Sequence, residues 1–143
     1  MKINRYLSRL YDTILSRSEI QIEVIHWERL AEDQGLIAAD LRFFDGSLLS
    51  FDERVHVERG RVVKIKYRYH YQRADGTLVF RYDNVPHHPE VFTFPDHIHI
   101  EGRVEATEPP DLSQVLRRID GLLYQTSPQD SALNNKEYLK TGR

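Results

Sequence analysis

Five of the seven histidines fall between positions 70 and 99: His70, His87, His88, His97 and His99. Histidine exchanges protons near neutral pH and also binds metals, so the cluster suits acid–base chemistry or a metal site. Loop histidines also serve structurally, by bonding backbone groups and packing on prolines. His97 and His99 would lie on one face of a strand, which is spacing that a metal accepts. Because no HExxH helix accompanies them, the metal pattern is weak, and spacing alone leaves the three interpretations open.

The histidines lie among cations, which matters for RNA chemistry. RNA carries its own nucleophile, the 2′-hydroxyl, so cleavage without a metal needs only a base, an acid and cations for the phosphorane charge. The histidines supply candidates for the first two roles. Lys66, Arg68 and Arg81 suit the third.

The composition bounds the class of protein. A chain of 143 residues fits one domain, and the absence of cysteine excludes disulfides and thiolate chemistry. No apolar run is long enough for a signal sequence or a membrane span, so we expect a cytoplasmic protein with no membrane partner. The formal net charge of -2 argues against a general polyanion binder, although one face can still be basic.

Periodicity predicts the elements that must position these residues. Apolar spacing predicts an amphipathic helix over 2–17, and alternation predicts a strand over 19–28. Further strands follow, separated by turns at residues 45–46, 59–60 and 75–76, and the last spans 78–83. Residues 97–99 add a possible short strand. A second helix follows Asp111, and from residue 125 the chain is a polar, flexible tail. The prediction is one α+β domain over 1–124, with an antiparallel meander of about five strands.

Strand register assigns the two faces of this sheet, because a slip of one residue exchanges them. A bulged turn at Gly46 pairs Leu41 with Leu49, and a similar turn at Gly60 would pair Val55 with Val63. A tight turn at Asp75-Gly76 places Tyr69 beside Tyr82. One face is then apolar and covered by both helices. Its predicted members are Ile37, Ala39, Leu41, Leu49, Phe51, Val55, Val57, Val63, Ile65, Tyr67, Tyr69, Tyr71, Phe80 and Tyr82, with Glu53 as a misfit near an edge or paired.

The opposite face is polar and cationic, with Arg68 opposite Asp83 and His70 opposite Arg81. A solvated face of mixed charge is common in antiparallel sheets. The density of cations on neighbouring strands, with histidines among them, favours a functional surface. The predicted members of this polar face are Asp40, Arg42, Asp52, Arg54, His56, Lys64, Lys66, Arg68, His70, Arg81 and Asp83.

The stretch KYRYHYQRADGTLVFRYDNVPHH, followed by HPEVFTFPDHIHIEGRV, resembles the TumE family of toxins from toxin–antitoxin pairs. The family pattern KYRYHY, RYDNxPHH and FPHHKH matches residues 66–71, 81–84 and 86–88, and then Phe94, Pro95, His97 and His99. Asp96 and Ile98 depart from it, since the family has His and Lys there. The likeness spans about residues 35–120. It implies a RelE-like fold, an RNA-directed toxin without a metal, and a cognate antitoxin carrying a helix-turn-helix domain.

The leading hypothesis is therefore a metal-independent endoribonuclease toxin with no cofactor. His70 and His88 are the foremost acid–base candidates, and Asp83 is expected to orient Arg68 or a histidine. Phe92 or Phe94 could stack on a splayed base. The predicted catalytic residues are His70, His88, Arg68, Arg81, Asp83, His97 and His99, and the predicted RNA-binding residues are Arg42, Arg54, Lys64 and Lys66.

Two other classes of function stay open. The same face could bind nucleic acid or a protein partner without catalysis, or His87, His88, His97 and His99 could ligate a catalytic metal. A homodimer is also compatible with the sequence. Tyr138 and Lys140 in the tail invite comparison with terminal catalytic groups of RelE-like toxins, but no predicted element anchors them.

Overall fold

The structure, a computed structural model, describes residues 2–124. The predicted tail, with Tyr138 and Lys140, lies outside the described residues. The chain divides into two compact units, residues 1–112 and 113–143, so the single domain over 1–124 stays a prediction. The elements are α1 (Lys2–Leu15), β1 (Gln21–Ala31), β2 (Gln34–Arg42), β3 (Leu48–Glu58), β4 (Arg61–Gln72), β5 (Leu78–Asp83), β6 (His97–Ile100), β7 (Arg103–Ala106) and α2 (Leu112–Leu123).

The strands form a single antiparallel sheet whose spatial order follows the chain from β1 to β7. The α+β class and the meander are therefore confirmed, with seven strands in place of about five. Beyond the first five strands, β6 is the short strand expected at residues 97–99, and β7 follows it after Glu101 and Gly102, which both have positive φ. Strands of four residues carry little periodicity, which explains why β7 was not predicted. Among the described helices, none is long and apolar enough to cross a bilayer.

Helix α1 covers one face of the sheet with a buried stripe of Ile3, Leu7, Leu10 and Ile14. The helix approaches β2 closely at Gly35, where a Cβ atom would lie 2.7 Å from Ile3 Cγ2. The predicted cover by α1 is thus confirmed.

Helix α2 shows the amphipathic pattern that the sequence predicted. Its residues Leu112, Val115, Leu116 and Ile119 are buried, while Ser113, Gln114, Arg117 and Arg118 are exposed. The predicted position of α2 on the sheet stays a prediction.

The pairings predicted around two turns are confirmed. In the β2–β3 hairpin, Leu41 faces Leu49, and Gly46 of the turn has φ +86°. In the β4–β5 hairpin, Tyr69 faces Tyr82. Gln72 faces Leu78, which leaves Val79 of β5 without a partner, so the turn between β4 and β5 is wider than predicted. Correct pairing buries the tyrosines of β4: Tyr67, Tyr69 and Tyr71 are each at most 3% exposed.

The pairing predicted at Gly60 is wrong. Arg59 and Gly60 both have positive φ and form a two-residue turn, while a register shift at residues 54–55 of β3 leaves Ile65 of β4 without a partner. Val55 therefore faces Lys64 and not Val63. Two predicted core residues, Val63 and Ile65, are consequently exposed, and Val57 is half-buried.

Glu53 is paired, as the sequence predicted, but it lies at the centre of the core. Its carboxylate accepts hydrogen bonds from the hydroxyls of Tyr6 and Tyr69, and the residue is 1% exposed. The Tyr69 hydroxyl also contacts Lys64 Nζ at 2.8 Å. Burial and the neighbouring Glu53 raise the pKa of Tyr6 and of Tyr69. The network gives hydrogen-bond partners to a buried carboxyl group that would otherwise destabilise the fold.

Candidate active site

The polar face of strands β4, β5 and β6 carries two rows of chemically active side chains. The first row across the strands is Arg68, Asp83 and His97, and the second is His70, Arg81 and His99. The predicted facing pairs, Arg68 with Asp83 and His70 with Arg81, are confirmed. Because antiparallel partners share a face, β6 adds two histidines to the cationic surface that the sequence predicted.

Asp83 lies at the centre of this arrangement and is 4% exposed. Its Oδ1 accepts a hydrogen bond from the backbone N–H of Val85 at 3.0 Å and lies 3.0 Å from His97 Nε2. Its Oδ2 lies 3.2 Å from Arg81 Nε and 3.6 Å from His99 Nε2. Asp83 thus contacts two histidines and Arg81, while the Arg68 guanidinium pairs with Asp52 at 3.3 Å. The orienting role of Asp83 stays a prediction.

His97 is almost fully buried, and its contacts fix its tautomer. Its Nδ1 donates a hydrogen bond to the Pro95 carbonyl at 2.9 Å, because a carbonyl oxygen can only accept. Its Nε2 points at Asp83 and lies 3.1 Å from His99 Nε2. A second proton, on His97 Nε2, would let this atom donate a hydrogen bond to Asp83 Oδ1 or to His99 Nε2.

His88 reaches the same cluster from the loop between β5 and β6. Its ring centroid lies 4.9 Å from that of His97 and 5.4 Å from that of His99, and its Nδ1 lies 3.1 Å from Glu90 Oε1. Asn84 anchors the start of this loop by accepting from Tyr67 N and donating to Ile65 O. Side-chain bonds therefore hold the irregular segment against the sheet.

Burial and neighbouring arginines lower the pKa of two histidines in the second row, His99 and His70. Burial, followed by the charge of Arg81, lowers the pKa of His99. Burial, followed by the charges of Arg68 and Arg81, lowers the pKa of His70. Both shifts favour neutral imidazole, the form able to accept a proton. His70 Nδ1 is buried and has no hydrogen-bond partner among the described residues, and the cluster of His88, His97 and His99 does not include His70.

The four predicted RNA-binding residues differ in their exposure and in their contacts. Arg54 and Lys66 are exposed on the polar face, as predicted. Arg42 is held by both oxygens of Glu23 and by the Gly46 carbonyl. The predicted place of Lys64 on the polar face is wrong: the bulge at Ile65 turns it to the core face, where it contacts Tyr69 and the Pro110 carbonyl.

The loop between β5 and β6, which also carries His88, exposes two aromatic residues. The side chain of Phe92 is 90% exposed and that of Phe94 is 45% exposed. His87 is also exposed and outside the cluster. Asp96, one of the two departures from the family pattern, accepts a hydrogen bond from the Tyr67 hydroxyl at 2.7 Å. Ile98, the other, is buried.

A second cationic region was not predicted. Lys2, Arg5 and Arg9 of α1 line a cavity of about 370 Å³ together with Arg61 beside the β3–β4 turn. The spacing of the three helix cations by three and four residues was the available signal, since it places them on one stripe. Glu90 was also missed, because its contact with His88 depends on loop geometry.

One comparison with known proteins gave a match, and the match includes the residues of this face. The family model described as Toxin TumE matches residues 9–123, which include every strand of the sheet and both rows of the polar face. Neither the curated proteins nor the solved structures gave a match. The family is that of toxins from toxin–antitoxin systems, which implies a cognate antitoxin. This chain therefore belongs to the TumE toxin family and is the toxin of a toxin–antitoxin pair.

Proposed function

We propose that this toxin cleaves RNA on the polar face of its sheet without a metal ion. In this proposal the toxin acts in the cytoplasm and is held inactive by an antitoxin that carries a helix-turn-helix domain. The observation that carries it is the cluster around the buried Asp83. There, one carboxylate lies within 3.0 Å of His97, 3.6 Å of His99 and 3.2 Å of Arg81.

The reaction is an internal transesterification that needs no added reactant. The 2′-oxygen attacks the adjacent phosphorus while a base removes its proton, and the 5′-oxygen leaves with a proton from an acid. The products are a 2′,3′-cyclic phosphate and a 5′-hydroxyl end. Arginine stabilises the additional negative charge of the phosphorane.

The accessibility of the side chains suggests how the roles divide. His99 is partly exposed and beside Arg81, so we assign it as the base, with Arg81 facing the phosphorane. His88, on the loop, is the acid. His97 and Asp83 are too buried to reach RNA and act as positioning residues that hold the His99 ring.

The surroundings of the cluster suit a single strand of RNA. Lys66 and Arg68 are exposed on the neighbouring strand and can bind backbone phosphates. The exposed ring of Phe92 offers a surface on which an unpaired base could stack.

A non-catalytic function is the main alternative, because exposed cations and an aromatic ring also suit binding alone. Purified toxin is incubated with end-labelled single-stranded RNA in EDTA, and binding and cleavage are measured on the same samples. The toxin should cleave, and His99→Gln should bind within a few-fold of the unchanged toxin while cleaving at least ~100-fold more slowly.

His87→Gln is the matched control, since it removes an exposed histidine of the same loop that lies outside the cluster. It should cleave like the unchanged toxin. Binding without cleavage by the unchanged toxin, on substrates from total cellular RNA, would support the non-catalytic alternative and overturn the proposal.

A further inference from the structure

The rings of His88, His97 and His99 meet edge to face on the polar side of β6. Their centroids are 4.8 to 5.4 Å apart and their planes are inclined by 67° to 76°. One ring nitrogen from each lies within 4.8 Å of the other two. Three imidazoles with an open fourth position form a common arrangement in zinc sites.

The outer nitrogens of two of these rings are already hydrogen-bonded. His97 Nδ1 donates to the Pro95 carbonyl, and His88 Nδ1 faces the Glu90 carboxylate at 3.1 Å. Metal-binding histidines commonly make such outer contacts, because these fix the tautomer and raise the basicity of the inner nitrogen. In the neutral rings of His88 and His97, the Nε2 lone pair is then free to face inward.

The inner nitrogen of His97 can only accept while its Nδ1 carries the ring proton. His97 Nε2 lies 3.1 Å from His99 Nε2 and 3.0 Å from an oxygen of Asp83. This unprotonated nitrogen and the Asp83 oxygen are both acceptors, so they repel at 3.0 Å unless a proton or a cation lies between them. A proton or a metal ion can supply that positive charge.

The distances fit a small divalent ion after a modest adjustment. A tetrahedral ion with bonds of about 2.0–2.1 Å places its ligand nitrogens about 3.3 Å apart. The His97–His99 separation of 3.1 Å is already close to this value. The larger separations involve His88, whose loop position and partial exposure allow it to move inward.

We propose that His88, His97 and His99 form a binding site for one divalent transition-metal ion of the zinc class. Asp83 supplies the compensating negative charge beside His97 and His99, and Glu90 holds His88 in the binding orientation. Neutral nitrogen ligands with carboxylate support favour zinc, cobalt or nickel over magnesium or calcium.

Arg81 opposes the ion, because its guanidinium lies 3.4 Å from His99 Nε2. Its side chain is 36% exposed, so it can turn toward solvent when the ion binds. The same site without this positive charge should hold the metal more tightly. Arg81→Gln should therefore raise the affinity for the metal, whereas loss of a ligand histidine should lower it.

Metal binding would also regulate the reaction, an inference that rests on the proposed function. A nitrogen that ligates the ion cannot accept or donate the proton that cleavage requires. The bound ion thus inhibits the toxin, and a chelator restores its activity.

The test uses the full chain without a histidine tag, stripped with EDTA and dialysed. Cobalt(II) is added and its visible absorption is followed. We expect one ion per chain and intense d–d bands of a low-coordinate site. His88→Gln should weaken binding roughly 100-fold, Glu90→Ala about 10-fold, and His87→Gln not at all. Arg81→Gln should bind more tightly. Circular dichroism checks that each variant is folded.

Weak hexa-aquo-like absorption, or equal behaviour of His88→Gln and His87→Gln, would overturn the metal site. Because His88 lies on a loop, its replacement should preserve the fold even where that of the buried His97 does not.

RNA cleavage is then measured with EDTA and with one equivalent of Co²⁺ or Zn²⁺. Specific cobalt binding by a protein that never cleaves RNA supports the site and rejects the proposed nuclease. Cleavage in EDTA by a protein that binds no cobalt supports the proposed nuclease and rejects the metal site. Cleavage that increases with the metal rejects inhibition and supports a metal enzyme.

Discussion

Two buried carboxylates on opposite faces of the sheet illustrate how surroundings decide the role of a residue. Glu53 faces the core and accepts from two tyrosine hydroxyls, which are groups that do not titrate near neutral pH. Asp83 faces the polar side, where its neighbours are two histidines and an arginine. The first arrangement stabilises the fold. The second has the proton-exchanging groups that chemistry requires.

Glu53→Gln should destabilise the protein by about 1–3 kcal/mol, because an amide can accept from one hydroxyl but its NH₂ group cannot accept from the other. Urea unfolding followed by circular dichroism measures the change. Glu58→Gln, at an exposed position of the same strand, is the matched control and should stay within about 0.5 kcal/mol. Equal effects of the two replacements would contradict the buried network.

His70 should make stability depend on pH. Burial and the charges of Arg68 and Arg81 lower its pKa in the folded state, so below the unfolded value of about 6.5 the unfolded chain binds more protons. Stability therefore falls as pH falls from 7 to 5. His70→Gln should reduce this slope of the unfolding free energy. An unchanged slope would show that His70 titrates alike in both states.

At the scale of elements, a single bulge decides which lysine reaches the solvent. Skipping Ile65 in the pairing turns Lys64 inward, against Tyr69, while Lys66 stays on the polar face. Burial lowers the pKa of Lys64. The alternating pattern cannot reveal such a bulge. Val63 and Ile65 are apolar, so the pattern assigns them to the core face and the lysine between them to the polar face.

Lys64→Met and Lys66→Met test this register directly. Lys64→Met should cost about 1–3 kcal/mol, since it removes the ammonium group that donates to the Pro110 carbonyl and to the Tyr69 hydroxyl oxygen. Lys66→Met should change stability by no more than about 0.5 kcal/mol. Denaturant unfolding measures both. Similar small changes would mean that both lysines face solvent, as the pattern without a bulge predicts.

Much of the sheet was predictable because its turns combine glycine with strong alternation. Around Gly46, only one register buries Leu41 and Leu49 together, and the structure has that register. The pairing of His97 with Asp83 was not predicted, since β6 follows an irregular loop of 13 residues between Asp83 and His97. The approach of His88 depends on contacts such as those of Asn84, which no period encodes.

At the scale of the whole molecule, a formal net charge of -2 conceals two cationic regions on the unit formed by residues 1–112. One is the polar face with the histidine cluster, and the other is the cavity beside α1. The family and the α+β class agree with the predictions. The RelE-like relation stays a prediction, because no solved structure matched.

The most direct measurement is the chemistry of the RNA ends that the purified toxin produces in EDTA. We predict 2′,3′-cyclic phosphate and 5′-hydroxyl ends, formed by the unchanged toxin and by His87→Gln but not by His99→Gln. Intact RNA, 5′-phosphate ends, or the same yield of ends from His99→Gln would contradict catalysis by the histidine cluster.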